Sequence, residues 1–358
     1  MRDRFDLVVL GAGPAGEKGA AQAAYFGKRV AIVEQAPEPG GAGVHTGTLP
    51  SKTLREAAVF LSGQRARTLY GMGSAFDASA TLERLMTRKS AIQASESRRI
   101  RENLQHHGVQ YFHGRAHVAE AHLVTVQGAD GLQELETEHV LIATGSTPAR
   151  APGIDFADTR VHDSDEILGI DELPRSMIIL GAGVIGCEYA CMFAALGADV
   201  TLVDVRESVL SFLDGELVER LLAAMKQAGV TLRTGLRWTR VSRTGDEVTA
   251  HFADGSELRA GHLLYCAGRT GATQGLGLVE LGVKVGERGH VQVDADYRTH
   301  VPNVFAAGDV IGFPGLASSA MEQARVAVCK AFGFEYKSAV SALMPFGIYT
   351  IPALSAVG

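Results

Sequence analysis

Residues 7–34 and 177–204 carry one pattern twice, and this repeat constrains the fold more tightly than anything else in the chain. Leu7-Val8-Val9-Leu10-Gly11-Ala12-Gly13-Pro14-Ala15-Gly16 is echoed by Met177-Ile178-Ile179-Leu180-Gly181-Ala182-Gly183-Val184-Ile185-Gly186. Each apolar run reads as a buried strand entering a glycine-rich turn, and each turn opens an alanine-rich helix, expected over 20–26 and 189–196. Gly27 and Gly197 stop those helices. Second strands at 29–33 and 199–203 run into Glu34 and Asp204. Each acid stands 23 residues beyond the first glycine of its turn (34 − 11 and 204 − 181), so the two units share one register.

A single G-x-G-x-x-G turn is a weak signal, because glycine turns join strands to helices for packing alone. Two in one register, each with its acid in place, point to two bound dinucleotides. The first glycine permits the tight turn, the second leaves room for a pyrophosphate, and the third lets helix and strand approach. The helix N-terminus offers N–H groups and the positive end of its dipole to the phosphates. Glu34 and Asp204 are placed to accept hydrogen bonds from ribose hydroxyls.

Elsewhere, 82–105 has the pattern of a charged amphipathic helix, with strands expected at 109–112 and 117–126. Apolar strands at 140–143, 263–267 and 304–307 run into turns at Gly145, Gly268 and Gly308, the last followed by a helix from about Leu316 to Phe332. With 358 residues, 46% of them apolar, the chain can bury about two cores. A net charge of −6 provides no overall basic face for nucleic acid or an anionic membrane, and Arg98, Arg99 and Arg101 read as a solvated helix face. No apolar run is long enough to span a bilayer. Met1-Arg2-Asp3-Arg4 leads into a short apolar run without a cleavage site, so a cytoplasmic protein is expected. The four scattered cysteines fit a reducing compartment, and Cys187 and Cys191, four apart on one helix, read as small core residues. The histidines, including His106-His107, lack metal-ligand spacing, and no metal is expected.

Further segments with recognisable chemistry are Gly40-Gly41, Gly47-Thr48-Leu49-Pro50-Ser51-Lys52, Asp163-Ser164-Asp165, Glu188-Tyr189, Gly268-Arg269-Thr270-Gly271, Ala307-Gly308-Asp309-Val310 and Gly347-Ile348-Tyr349-Thr350-Ile351-Pro352. On these residues and the two turns, the sequence resembles the flavoprotein pyridine nucleotide-disulfide oxidoreductases over essentially its whole length. Within them it is similar to the soluble, Si-specific pyridine nucleotide transhydrogenases. The resemblance implies an α/β fold with two Rossmann-like, glutathione reductase-like dinucleotide-binding domains. The FAD domain would comprise 1–160 and 289–345 and the NAD(P) domain 161–288. Residues 346–358 would open a truncated interface domain, and a homodimer is expected only where that domain is present.

Carried over residue by residue, the resemblance implies that Gly11, Gly13, Pro14, Ala15, Gly16, Glu34 and Gly41 hold FAD, with Thr48, Ala143, Thr144, Gly145, Gly308 and Asp309. The helix start at Leu316, Ala317 and Ser318 would stabilise negative charge on the flavin. Gly181, Gly183, Val184, Ile185, Gly186, Asp204, Val205, Arg206, Gly268 and Arg269 would hold the nicotinamide nucleotide, with Glu188. Lys52 would reach the flavin N5 region paired with Glu188; without the family match, both read as surface ions. His45 has two readings, a residue near the flavin or a hydrogen-bonded structural histidine. Asp204 favours the free 2′-hydroxyl of NAD, whereas Arg206 suits the 2′-phosphate of NADP, so NAD(H) is expected and NADP(H) stays open.

The family's redox cysteines have no counterpart here, for Gly43 and Thr48 occupy their places. Without that dithiol the usual route to a disulfide substrate is closed, and electrons must leave from the flavin itself. Three functions follow from this reading. The first is hydride transfer between nicotinamide nucleotides through FAD by ping-pong kinetics. The second is an NAD(P)H dehydrogenase that passes electrons to quinone, oxygen or a protein. The third is a nucleotide-binding module without turnover.

Overall fold

The computed structural model describes residues 3–69 and 78–357; Met1 and Arg2, at the head of the chain where no leader is expected, and Gly358 lie outside the described residues. The chain divides into two compact units. One comprises Met1–Thr48, Ile92–Thr147 and Arg269–Met344, the other Leu49–Ala91, Pro148–Gly268 and Pro345–Gly358. The unit boundaries near 147 and 268 precede the 160 and 288 expected for the FAD and NAD(P) domains, and 49–91 groups with the second unit. Leu54 and Ala58, on the helix Thr48–Leu69, explain that grouping, because they are buried in one apolar core with Tyr189 and Phe193.

In the first unit the strand Asp3–Leu10 lies in a sheet between Val30–Glu34 and Gly131–Ile142, parallel to both. Gln110–His113 pairs parallel with Val30–Glu34, and Val304–Ala306 with the end of Gly131–Ile142. Every residue of Val30–Glu34 is buried, as expected of a parallel strand covered on both faces. The helices Pro14–Tyr25 and Ala317–Phe332 pack against each other, and Gly19 permits their closeness: a Cβ there would meet Leu141 and Ala324. The single strand expected over 117–126 is a hairpin of Arg115–Glu120 and Leu123–Gly128, with Glu120 opposite Leu123. Its two turn residues, Ala121 and His122, include neither glycine nor proline, which hid the reversal.

The second unit has a five-stranded parallel sheet in the order Val230–Arg233, Asp199–Val203, Ser176–Leu180, His262–Tyr265 and Val161–Asp163. An antiparallel meander, Trp238–Thr244, Glu247–Phe252 and Glu257–Ala260, accompanies it. Pro345–Ile348 and Leu354–Val357 form a closing hairpin, within which Thr350 is fully buried. Among the described residues, no helix is long and apolar enough to cross a membrane.

Candidate functional sites

The duplicated turns are the same object at the level of hydrogen bonds. In the first unit, Glu34 accepts from the backbone N–H groups of Ala12 and Ala36, each at 2.8 Å. In the second, Asp204 accepts from Ala182 at 2.7 Å and from Arg206 at 2.8 Å. The carboxylate at the end of the second strand thus clips the glycine turn in place and stands beside it. Gly11 and Gly181 have φ of +98° and +111°, which disfavour any side chain. Neither the helix Pro14–Tyr25 nor the helix Val184–Leu196 has a side chain capping its first N–H groups, so both present them outward.

These cradles have room for a dinucleotide. A Cβ on Gly13 would find only the Cα of Gly41, 3.6 Å away, and a Cβ on Gly183 would find nothing within 4 Å. The middle glycine of each turn therefore keeps open a space that the protein does not fill. Beside the first turn, the Thr144 hydroxyl is buried without a protein partner, as suits a group awaiting a ligand. Opposite, Gly308 packs closely on Ala15 and Ala320 and donates its N–H to Gln323 at 2.9 Å, bringing Asp309 to the same unit. Asp309 accepts from Ser146 Oγ at 3.2 Å. The helix Ala317–Phe332 begins after Leu316 with no side-chain cap, leaving Ala317 and Ser318 at an open helix start. A dinucleotide fits each cradle by these observations.

Arg269, expected at the nicotinamide nucleotide, belongs to the first unit, where it donates to Ser146 through Nε to Oγ (2.9 Å) and Nη2 to O (2.7 Å). Its neighbour Gly268 belongs to the second unit, with φ +138° and its carbonyl accepting from Ala149. Gly145 takes φ +71°. Val205 is exposed beside buried Asp204. The Asp204 carboxyl is pushed up by burial, but the hydrogen bonds from Arg206 and Ala182 outweigh this and hold it below the usual range.

Lys52 and Glu188 meet within the second unit, Nζ lying 3.3 Å from Oε2. Sequence reasoning missed their third member: the Tyr349 N–H donates to Glu188 Oε1 at 2.7 Å, and its ring centroid lies 4.1 Å from Lys52 Nζ. Tyr349 stands inside the segment 347–352, but nothing in its spacing announces a partner 161 residues away. Ser146 was likewise missed, with only its place after Gly145 as a signal. His45 Nε2 lies 3.0 Å from Pro39 O and 3.4 Å from Ser97 Oγ, and Gln93 donates to its carbonyl. Those contacts hold the ring and its backbone in hydrogen bonds within the first unit.

Gly43 and Thr48 lie on the helices Gly41–His45 and Thr48–Leu69. All four cysteines are free. Burial pushes the Cys187 thiol up to about 12 and raises Cys191, Cys266 and Cys329 also, so each is held as a neutral thiol. Among the described residues, no group of three or more His, Cys, Asp or Glu side chains is placed to hold a metal.

Two glycine cradles, each between a pair of parallel strands and each with its clipping acid, define an α/β protein that binds two dinucleotides. The chain belongs to the pyridine nucleotide-disulphide oxidoreductase family, whose model matches residues 5–328. It is 41% identical over 360 residues to the soluble pyridine nucleotide transhydrogenase of Mycobacterium tuberculosis, and 40% identical over 358 residues to that of Marinomonas. Those alignments cover 100% and 99% of this chain and 76% of each relative. Among solved structures it resembles LpdA of M. tuberculosis (TM-score 0.90, 30% identity, 99% of this chain and 78% of the other). The HOCl-induced flavoprotein disulfide reductase RclA of Escherichia coli is also similar (TM-score 0.87, 28% identity, 99% and 77%). The chain is accordingly a flavin-dependent oxidoreductase of glutathione reductase-like fold that uses FAD and nicotinamide nucleotides.

Proposed function

We propose that this protein moves hydride between nicotinamide nucleotides through FAD, as a transhydrogenase with ping-pong kinetics. The observation that carries the reading is the paired cradle in a chain whose thiols offer no exit for electrons. Gly43 and Thr48 stand where related enzymes place a dithiol, and the four thiols it does have are held protonated by burial. Bound FAD supplies a hydride acceptor and donor in one ring system. The protein's own work is placement. Gly11, Gly13, Gly16 and the helix start after Gly13 hold a pyrophosphate, Glu34 takes a ribose, and Thr144 and Asp309 supply further polar contacts. In the second unit Gly181, Gly183, Gly186 and Asp204 do the same for NAD(P)(H).

The Lys52–Glu188 pair is assigned to the flavin by resemblance. Tyr349 and Glu188 hold the ammonium in one place, and a fixed cation favours negative charge developing on the flavin. A shared nicotinamide site requires the first product to leave before the second substrate enters, and the protein is proposed to act in the cytoplasm. Steady-state assays with NADPH and thio-NAD+ test this. Parallel double-reciprocal lines are expected; intersecting lines, or turnover with quinone but none with thio-NAD+, would overturn it.

A further inference from the structure

We infer that Arg206 is a latch on Asp204 that levels the affinities of the second cradle for NADH and NADPH. The inference rests on the assignment of that cradle to the nicotinamide nucleotide. An ionised carboxylate offers about four acceptor positions. Glu34 uses two of them, both on backbone N–H groups, and retains two for ribose hydroxyls. Asp204 has the same two backbone donors, Ala182 and Arg206, but its remaining positions are taken by the Arg206 side chain: Nε to Oδ1 and Nη2 to Oδ2, each 3.0 Å. The position two residues after the acid is Ala36 in the first unit and Arg206 in the second. In the hydrogen bonding of the acid, the difference between the cradles is therefore one side chain, and it fills the acceptor the ribose would use.

The guanidinium is free to leave and the carboxylate is not. The Arg206 side chain is 53% exposed, while that of Asp204 is 4% exposed and clipped to the turn. NADH carries donor hydroxyls, so it engages Asp204 only after two charge-assisted hydrogen bonds are broken. NADPH carries a 2′-phosphate, which a bare carboxylate repels and a displaced guanidinium binds in its planar fork. One residue thus weakens the first ligand and strengthens the second. A protein that exchanges hydride between the two needs that balance.

Titration of the FAD-loaded chain with NADH and NADPH under anaerobic conditions tests the latch, with 5′-AMP and 2′,5′-ADP as redox-silent probes of the same subsite. In Arg206→Ala, NADH and 5′-AMP should bind about three- to tenfold tighter, and NADPH and 2′,5′-ADP about ten- to a hundredfold weaker. Arg206→Lys separates the two effects: it retains charge for the phosphate but loses the fork, so NADH should tighten while NADPH stays within about threefold. Unchanged or weakened NADH binding in both variants, with wild type binding both nucleotides, would overturn the latch alone. Failure of the wild type to bind either nucleotide would overturn the assignment of the cradle and the latch with it.

Discussion

At the scale of single residues, the glycines of one turn have separable duties. A Cβ on Gly16 or Gly186 would fall on the carbonyl of Gly11 or Gly181, so substitution there strikes the fold. A Cβ on Gly183 meets no protein atom within 4 Å, and on Gly13 only an ordinary contact, so it obstructs only what binds. Gly183→Ala should keep its FAD and melting temperature while weakening NADH and NADPH by about ten- to a hundredfold, the effect of about 1–3 kcal/mol of overpacking. Gly186→Ala should lose stability instead, measurable by chemical denaturation. A second residue-scale expectation concerns His162, stacked on His262 with Nε2 3.0 Å from the partner's Nδ1. Burial, then the neighbouring His262, pulls His162 down to about 4. Between that value and the ordinary 6.5 the unfolded chain binds more protons than the folded one, so stability rises with pH across this window. The stability present above pH 6.5 should fall by up to about 3 kcal/mol as pH drops to 4. His162→Gln should flatten that part of the pH profile in urea-unfolding experiments.

Among the elements, the closing hairpin shows what a sequence conceals. Arg55 on the helix Thr48–Leu69 donates Nε to the carbonyl of buried Thr350 at 3.0 Å, across 295 residues. Arg55→Ala should therefore lower unfolding free energy by about 1–2 kcal/mol. By contrast, Arg88→Ala, which breaks an exposed pair with Glu56, should cost less than about 1 kcal/mol. The glycine turns were legible because their geometry is local: a strand, a positive φ and an acid at fixed spacing follow from neighbours in the chain. Strands Asp3–Leu10, Asp199–Val203 and Val304–Ala306 were legible for the same reason: Leu7 to Leu10 and Val304 to Ala307 are apolar runs into a glycine turn, and Val200 to Val203 is an apolar run between Gly197 and the acid Asp204. The meander 238–260 was not, because Trp238–Thr244 and Glu257–Ala260 are mostly polar and partly exposed, and the one core-facing alternation, Val248, Ala250 and Phe252, is too short to announce three strands. The contacts of Tyr349 with Glu188 and Lys52, and of Arg269 with Ser146, depend on chain paths that no local rule supplies.

For the whole molecule, the repeat identified the architecture, since two cradles in one register require that the strands of each repeated unit pair in parallel, as Asp3–Leu10 does with Val30–Glu34 and Ser176–Leu180 with Asp199–Val203. Where the units divide was less legible, because burial of Leu54 and Ala58 against Tyr189 and Phe193, rather than sequence order, decides where 49–91 belongs. The proposed transhydrogenase passes hydride from one nicotinamide nucleotide to the flavin, and from the flavin to another, in separable steps. The direct measurement is an anaerobic half-reaction: bleach the visible flavin band with one equivalent of NADPH, remove the nucleotide by gel filtration, then add NAD+. Return of the flavin colour with formation of NADH is predicted. A band that stays bleached until quinone or oxygen is added, or that never bleaches, would rule out nucleotide-to-nucleotide transfer through the flavin.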